Sequence, residues 1–187
     1  MQKEIVRMRY FIISDIHGSS LYLKKALALF KEGNYDYLII LGDILYHGPR
    51  NTIPEGYNPQ EVVSLLNPLA KQIIACRGNC EAEVDQMLLS FPCLSDYNLI
   101  VDGKVSLFAT HGHLYTSDNF PMSPGTSVFL SGHTHLWVLE QKDEVVICNP
   151  GSITLPKENR PHTYATYEDG TLFVKDFEGN ILAKLNL

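Results

Sequence analysis

The chain has 187 residues, with hydrophobic and charged fractions of 45% and 19% and a formal net charge of −6. This length and composition predict one globular domain, which we place at residues 1–187, and they exclude a disordered chain. The acidic balance disfavours stable binding to nucleic acid or to an anionic membrane, because both partners require a basic face on the protein.

The sequence carries no predicted signal for export or for a membrane. No apolar run approaches the roughly 18 residues that span a bilayer. The first residues, Met1 to Glu4, lack the apolar core of a signal peptide. The four cysteines, Cys76, Cys80, Cys93 and Cys148, form no CxxC pair. We therefore expect reduced thiols and a cytoplasmic protein.

The front half of the chain alternates short apolar runs with helical patterns. Runs at 10–13 and 37–41 predict buried strands, joined by a helix that begins near Ser20 and ends at Gly33. Such a β-α-β unit implies a parallel strand pair with a right-handed crossover. Residues 46–57 then contain glycines and prolines without periodicity, which is typical of a functional surface loop.

A second helix is predicted after this loop. Asn58 is its expected N-cap, with Pro59 at the first helical position and Glu61 completing a capping box. Pro68 is expected to end or kink this helix, because its ring removes a backbone donor and clashes with the preceding turn.

A third strand and a third helix complete the front half. The apolar run at 73–76 predicts the strand, and residues 81–89 predict the helix. We expect this helix to turn Val84, Met87 and Leu88 towards the core.

From residue 97 the pattern changes to short strands. A hairpin is predicted from 97–101 and 105–109 around the turn Asp102-Gly103. Further strands are predicted at 127–130, 137–140, 145–149, 163–167, 172–176 and 181–185. The back half is therefore expected to be mostly antiparallel. The whole is expected to form two packed sheets flanked by helices, with a strand order that the sequence leaves open.

Five short polar fragments are distributed along these strands. They are SDIHG at 14–18, LGD at 41–43, RGNCE at 77–81, THGH at 110–113 and SGHTH at 131–135. Four of them directly follow an apolar run, and Arg77 comes one residue after its run. Five repeats of one arrangement at predicted strand ends are difficult to explain by packing.

The fragments contribute side chains of the kinds that bind metals. They supply Asp15, His17, Asp43, Asn79, His111, His133 and His135. Carboxylate, amide and imidazole groups together suit divalent Mn, Fe, Zn, Co or Ni. Seven ligands are too many for one tetrahedral ion, but they suit two ions about 4 Å apart that share a carboxylate. The i, i+2 spacing within two fragments would point paired side chains to one face of an extended chain.

Each of these residues, taken singly, has a structural explanation as a turn, cap or hydrogen-bonded residue. The set favours a site, because six of the seven histidines lie in glycine-adjacent segments that follow an apolar strand. Only His162 lies elsewhere. This clustering of ligand-type groups indicates function more strongly than any single fragment does.

The ordered series DxH, GD, GNC, HGH and GHTH, followed by NPGS at 149–152, resembles the calcineurin-like metallophosphoesterase superfamily. The stretches HGPRN, PEGY, RGNC, EVDQMLL and HGHL resemble, more narrowly, its small bacterial YfcE-type phosphodiesterases. The resemblance extends over nearly the whole chain. It implies a four-layer α/β/β/α sandwich with a dinuclear, commonly manganese-supported site at the carboxyl ends of the strands.

The resemblance also implies a role for each ligand. One ion would be held by Asp15, His17 and His135, and the second by Asn79, His111 and His133. Asp43 would bridge the two ions together with a hydroxide. The expected reaction is hydrolysis of a small phosphodiester by direct attack of that hydroxide, without a nucleophilic role for Ser14 or Cys80.

Three positions near the ligands are candidate catalytic residues: Asn79, Cys80 and His113. His113 would hydrogen-bond a phosphate oxygen, or alternatively support a ligand. Cys80 stands where many relatives carry a histidine that assists the leaving group, and a thiol with an ordinary pKa near ~8.5 is a poor acid at neutral pH. This departure favours diesters, unless Cys80 is only a packing residue.

Weaker candidates lie in the loops: His47 for phosphate, and Arg50, Tyr57 and Asn119 for specificity. The NPGS turn is expected to support the loop of His133 and His135. Two alternatives stay open, namely a phosphomonoesterase or protein phosphatase, and a non-catalytic metal-binding scaffold for protein interactions. The oligomeric state, including a homo-oligomer, is also open.

Overall fold

The computed structural model describes residues 8–122 and 126–187, so the predicted absence of a signal peptide at residues 1–4 lies outside the described part. The helices are α1 (Ser20–Glu32), α2 (Pro59–Leu66) and α3 (Glu83–Leu88), with a 3-10 helix at Asn67–Gln72. The strands are β1 (Tyr10–Ile13), β2 (Tyr37–Ile40), β3 (Ile73–Ala75), β4 (Tyr97–Asp102), β5 (Val105–Thr110), β6 (Thr126–Leu130), β7 (Val138–Lys142), β8 (Val145–Asn149), β9 (Thr163–Glu168), β10 (Thr171–Asp176) and β11 (Ile181–Asn186).

Two mixed sheets form the centre of the fold. The first has the strand order β11-β10-β9-β1-β2-β3, and the second has the order β4-β5-β6-β8-β7. The predicted parallel pairing of β1 with β2 is confirmed, and β3 continues it. The expectation of a mostly antiparallel back half is wrong for the second sheet, because β5, β6 and β8 are parallel. Parallel strands need crossover connections, and residues 111–125 between β5 and β6 are long enough to provide one.

The two faces of β1 show how the layers pack. Phe11 and Ile13 point outward and pack with Leu23 of α1 and Val62 of α2. Ile12 points inward, into the core shared with the second sheet. This alternation follows from the two-residue side-chain period of a strand. Fully burying each such side chain contributes about 1.5–3 kcal/mol, so the sandwich is held mainly by these two apolar layers.

The predicted architecture of two packed sheets flanked by helices is confirmed. The outer face of the second sheet, unlike that of the first, is covered by aromatic side chains. There Phe108 and Phe129 are buried under Tyr115 and Phe120 from the segment after β5. The rings of Phe108 and Phe120 lie 5.1 Å apart. Among the described residues, aromatic packing from this segment forms the layer over that face.

Helix α2 begins where the sequence predicts and ends shortly before Pro68, but only half of its capping box forms. The Asn58 side chain accepts the N–H of Glu61 at 3.1 Å. The Asn58 N–H, however, donates to the Gly18 carbonyl at 2.8 Å, and the Glu61 carboxylate pairs with Lys24 instead. The loop before α2 therefore anchors to the turn after β1. At Pro68 the α-helix has already given way to the 3-10 helix.

The predicted inward face of α3 is wrong. Val84, Met87 and Leu88 are 57%, 83% and 51% exposed, whereas Asp85 is buried. The Asp85 carboxylate accepts the Ala82 N–H at 2.7 Å, which requires it to fold back over the first turn of the helix. A helix of only six residues carries too little apolar periodicity to overcome this capping contact.

Candidate metal centre

The five polar fragments meet at one end of the sandwich. All of them follow strands that run parallel within their sheets: β1, β2, β3, β5 and β6. Backbone hydrogen bonds connect neighbouring fragments, since the His17 N–H donates to the Asp43 carbonyl at 2.8 Å and the Gly132 N–H to the His111 carbonyl at 2.9 Å. The carboxyl ends of parallel strands share one edge, so the fold brings the ligand-type side chains together.

The backbone is strained at five of the ligand-type residues. Asp15, His17, Asp43, His133 and His135 all have positive φ, between 48° and 67°. The extended backbone expected for the pairs Asp15/His17 and His133/His135 is therefore wrong. Residues in the left-handed conformation do not follow the side-chain alternation of a strand. This conformation costs on the order of 1 kcal/mol for a residue with a Cβ, and such strain is concentrated at functional sites.

Two glycines allow the fragments to approach one another. Gly42 has a φ of +88°, and a Cβ there would lie 2.6 Å from the Gly78 backbone nitrogen. A Cβ on Gly132 would overlap the Ser14 hydroxyl and lie 2.9 Å from an Asp15 carboxylate oxygen. Side chains at either position would push the polar fragments apart.

The first cluster of ligand-type atoms comes from Asp15, His17 and His135. His135 Nε2 lies 3.2 Å from Asp15 Oδ1 and 3.2 Å from His17 Nε2. His17 Nε2 is 3.7 Å from the same Asp15 oxygen. All three side chains are almost fully buried. The three atoms are close enough to hold one metal ion.

The second cluster comes from Asn79, His111 and His133. His111 Nε2 lies 3.2 Å from Asn79 Oδ1 and 3.2 Å from His133 Nδ1. His111 is fully buried, whereas Asn79 is exposed and His133 is partly so. The second cluster is therefore the one open to solvent.

Asp43 lies between the clusters. Its Oδ2 is 3.7 Å from His17 Nε2 in the first cluster and 3.5 Å from His111 Nε2 in the second. Its Oδ1 accepts the Cys80 N–H at 2.9 Å. One carboxylate oxygen thus faces both groups, which is the arrangement that a pair of cations requires of a bridging ligand.

Backbone carbonyls orient three of the imidazoles. The Nδ1 atoms of His17, His111 and His135 lie 3.0, 2.6 and 2.7 Å from the carbonyl oxygens of Tyr46, Leu41 and Leu155. A carbonyl can only accept, so each Nδ1 carries the proton and each Nε2 presents a lone pair to the clusters. The Nε2 lone pairs of His17 and His135 face one another at 3.2 Å and therefore need a proton or a cation between them.

Asp15 reinforces this requirement. Its Oδ1 is buried and has no hydrogen-bond partner among the described residues. Burial would raise the pKa of the Asp15 carboxyl, but the imidazoles of His135, His111 and His17 hold that pKa well below its usual range. Burial would lower the pKa of His135. The Asp15 carboxylate outweighs burial, so the pKa of His135 is raised. A proton or a cation is favoured at this point, and the donor set fits divalent cations.

A cleft of about 540 Å³ opens over both clusters. Its walls include His17, Asp43, Asn79, Cys80, His133 and His135, and also Arg50, Asn51, Thr134 and Lys157. Two cationic side chains therefore stand at the rim of a site rich in carboxylate and imidazole. Arg50 is among the sequence candidates, whereas Lys157, shortly after the NPGS turn, carries no pattern of its own that points to the site.

Comparisons with known proteins identify the family. A model of the calcineurin-like phosphoesterase superfamily domain matches residues 8–170. The chain belongs to the calcineurin-like phosphoesterase superfamily. Among the described residues, no helix is long and apolar enough to cross a membrane.

Several members of the superfamily are similar over most of the chain. Phosphodiesterase YfcE of Escherichia coli K12 is 45% identical over 167 residues, which cover 89% of this chain and 91% of the relative. Its structure, described as that of a phosphoesterase, superposes with a TM-score of 0.92 and covers 95% of this chain and 98% of that one. Phosphodiesterase MJ0936 of Methanocaldococcus jannaschii is 27% identical over 151 residues, covering 77% of this chain and 83% of the relative.

Glu81 is a supporting residue that the sequence argument missed. Its buried carboxylate accepts the N–H groups of Asp43 at 3.0 Å and Ile44 at 2.6 Å, and also that of Gly78. Burial and the nearby Asp43 carboxylate raise the pKa of Glu81, while these three donors oppose the shift. Glu81 thereby joins the turns after β2 and β3. An acid directly after RGNC was the available signal.

The NPGS turn supports two loops rather than one. Asn149 Nδ2 donates to the Gly132 carbonyl at 2.8 Å, as the sequence predicts for a residue holding the His133 and His135 loop. The Ser152 hydroxyl also donates to the Asp15 carbonyl at 2.9 Å. This second contact, which the sequence did not suggest, connects β8 to the turn after β1.

The candidate catalytic side chains lie beside the second cluster. The His113 ring centroid is 5.3 Å from that of His111 and 6.3 Å from that of His133. Burial and these two imidazoles lower the pKa of His113, so it is neutral at pH 7. Burial and Asp43 raise the pKa of the Cys80 thiol, which keeps it protonated.

The weaker candidates are not all at the cleft. His47 packs edge-on against the rings of Tyr46 and Tyr57, at 4.8 and 5.3 Å. Tyr57 lines a neighbouring groove instead of the cleft. Asn119 is engaged within its own loop, where its N–H donates to the Thr116 carbonyl at 2.9 Å.

Proposed function

We propose that this protein is a phosphodiesterase that hydrolyses small phosphodiesters with the help of two divalent cations. The observation that carries the proposal is the position of Asp43, whose Oδ2 lies within 3.7 Å of imidazole nitrogens from both clusters. The 45% identity to phosphodiesterase YfcE over 89% of this chain supports the same reaction.

The residues present fit such a pair of ions. Asp15, His17 and His135 would hold one, Asn79, His111 and His133 would hold the other, and Asp43 would be shared. When bound, two divalent cations supply Lewis acidity that activates water and offsets the charge of a phosphate. We propose Mn²⁺, following the resemblance, although the ligand set also accepts Zn²⁺, Fe²⁺, Co²⁺ or Ni²⁺.

The chain's own groups would bind and orient the substrate. Arg50 and Lys157 at the cleft rim would attract the anionic phosphate. Neutral His113 would donate a hydrogen bond to a phosphate oxygen. Ser14 is fully buried and its hydroxyl lies 3.4 Å from the Leu41 carbonyl, and the Cys80 thiol stays protonated, so neither is a nucleophile. The displacement would therefore be direct.

The absence of an imidazole at position 80 favours diesters over monoesters. A thiol whose pKa is raised donates a proton poorly to a departing alkoxide. Substrates whose leaving group departs without protonation are then preferred. A thiol at position 80 therefore disfavours the phosphomonoesterase alternative.

We propose a single catalytic domain over residues 1–187, acting on small phosphodiesters and not on nucleic acid, in keeping with the net charge of −6. Free Cys76, Cys80, Cys93 and Cys148 suit a reducing compartment, so we propose the cytoplasm.

The test is Asp43→Asn in metal-defined assays with bis(p-nitrophenyl) phosphate. Wild-type protein should bind about two equivalents of Mn²⁺, and the variant should lose one or more of them and at least ~100-fold in turnover. Asp118→Asn, at a side chain that is 72% exposed, is the matched control and should change neither quantity. Normal turnover in Asp43→Asn and His133→Ala would show the mechanism to be wrong.

The same assays separate the alternatives. Faster cleavage of p-nitrophenyl phosphate than of the diester would favour a phosphomonoesterase. Metal-dependent stabilisation without hydrolysis of any diester would favour a scaffold.

A further inference from the structure

A second depression, which we call the side groove, lies next to the cleft. It has a volume of about 320 Å³, at the small end of the range for ligand sites. Tyr46, Tyr57, Pro59, Cys80, Val84 and Leu88 line it. The loop before α2, the start of α2 and the exposed side of α3 therefore form its walls.

The side groove is lined mainly by uncharged side chains. Asp85 also borders it, but this residue is 7% exposed and its carboxylate accepts the Ala82 N–H. The groove is therefore suited to a neutral, apolar group.

The apolar walls are unusually exposed. Val84 and Leu88 are 57% and 51% exposed, and Tyr46 is 42% exposed. Large apolar side chains that cluster at the surface beside a polar cleft are typical of a binding site. Met87, on the same helix and 83% exposed, does not line the groove.

Cys80 connects the side groove to the reaction cleft, since it lines both. Its sulfur lies within 4.8 Å of ligand atoms of His17 and Asp43. The groove thus begins one side chain away from the candidate metal ligands. A phosphodiester carries two organic groups, and a phosphorus atom held in the cleft would direct one of them past Cys80.

We propose that the side groove binds one of the two ester groups of the substrate and selects phosphodiesters in which that group is neutral and aromatic or apolar. Tyr46 and Tyr57 would contact its ring, and Val84 and Leu88 would remove its edge from water. The inference rests on the proposed function for the position of the phosphate. A diester with only methyl groups would leave the groove unfilled.

Binding measurements test this directly. Calorimetry on the Mn²⁺-loaded protein should show that diphenyl phosphate binds at least about tenfold more tightly than dimethyl phosphate. Val84→Ser and Leu88→Ser should each reduce that ratio to about threefold or less. Met87→Ser, the matched control, should leave it unchanged. All three positions are exposed, and circular dichroism is the check that each variant folds.

Two outcomes would overturn the inference. One is an unchanged ratio in both groove variants. The other is an equal loss in Met87→Ser, because the whole helix face would then act together, as a protein interface does.

Turnover separates this inference from the proposed function. If wild-type protein prefers diphenyl phosphate but cleaves no diester, the groove is supported and the phosphodiesterase proposal fails. If it cleaves bis(p-nitrophenyl) phosphate but binds diphenyl phosphate and dimethyl phosphate equally tightly, the phosphodiesterase proposal is supported and the groove fails.

Discussion

Asp43 connects both halves of the candidate site through three of its groups. Its Oδ2 faces His17 and His111, and its Oδ1 accepts the Cys80 N–H. Its backbone N–H donates to Glu81. The side chain's position is thus set by contacts with the turns after β1, β3 and β5. A bridging role needs this precision, because an error of about 1 Å in a reacting group can cost ~100-fold in rate.

Cys80→His is predicted to extend the reaction to phosphomonoesters. An imidazole beside Asp43 titrates near neutral pH and can protonate a departing alkoxide, whereas the native thiol stays protonated. The kcat/KM for an alkyl phosphomonoester such as glycerol 2-phosphate, whose departing alkoxide needs a proton, should rise at least about tenfold, measured beside the diester. Cys80→Ser should show no such gain. An equal gain in both variants would mean that the thiol acts only by its size.

At the scale of elements, the site depends on parallel strands from both sheets. Strands β1, β2 and β3 deliver three polar fragments, and β5 and β6 deliver the other two. Helices α1 and α2 cover the outer face of the first sheet and leave the carboxyl edge of its strands open. Helix α3 follows the third fragment and contributes the exposed wall of the side groove.

Neighbouring leucines at the end of α3 should differ sharply in their effect on stability. Leu89 is 4% exposed in the core under the first sheet, whereas Leu88 is 51% exposed. Leu89→Ala should therefore lower the free energy of unfolding by about 2–4 kcal/mol through the cavity it leaves. Leu88→Ala should change it by less than about 0.5 kcal/mol. Urea denaturation measures both, and equal losses would refute the observed orientation of α3.

At the scale of the whole molecule, Glu168 at the end of β9 contacts residues next to β1 and β2 and a residue in β10. Its carboxylate accepts from Arg9 Nη2 at 2.6 Å and from the Tyr35 hydroxyl at 3.1 Å. Lys175 Nζ lies 3.7 Å away. Burial raises the pKa of Glu168, but the hydrogen bond and charge of Arg9 outweigh it, so that pKa is lowered.

The contribution of Glu168 to stability should depend on pH. A lowered folded-state pKa stabilises the fold above the unfolded value of about 4.3, and this stabilisation is lost as pH falls through the folded value. At pH 7, Glu168→Gln should lower the free energy of unfolding by about 1–2 kcal/mol. The difference from wild type should shrink as pH falls from 5 towards 3. Exposed Glu144→Gln is the control, and a difference that does not change with pH would contradict the assignment.

Local pattern was enough to predict the strands and the ligand types. Short apolar runs such as Tyr10–Ile13 predict buried strands because the length and apolar composition of a run are local properties. The fragments after them already contained the carboxylates and imidazoles. The fragments were also distinctive enough to resemble the family to which the chain belongs.

Tertiary structure decided the features that depend on contacts between distant parts of the chain. The parallel pairing of β5, β6 and β8 follows from how the chain crosses over, which no local period encodes. The outward face of α3 follows from the cap that Asp85 makes. The support of Asp43 by Glu81 and the joining of groove to cleft at Cys80 arise only when turns from separate strands meet. The sequence by itself determined which groups are available for chemistry, because residue type is local, whereas long-range packing determined where each group points.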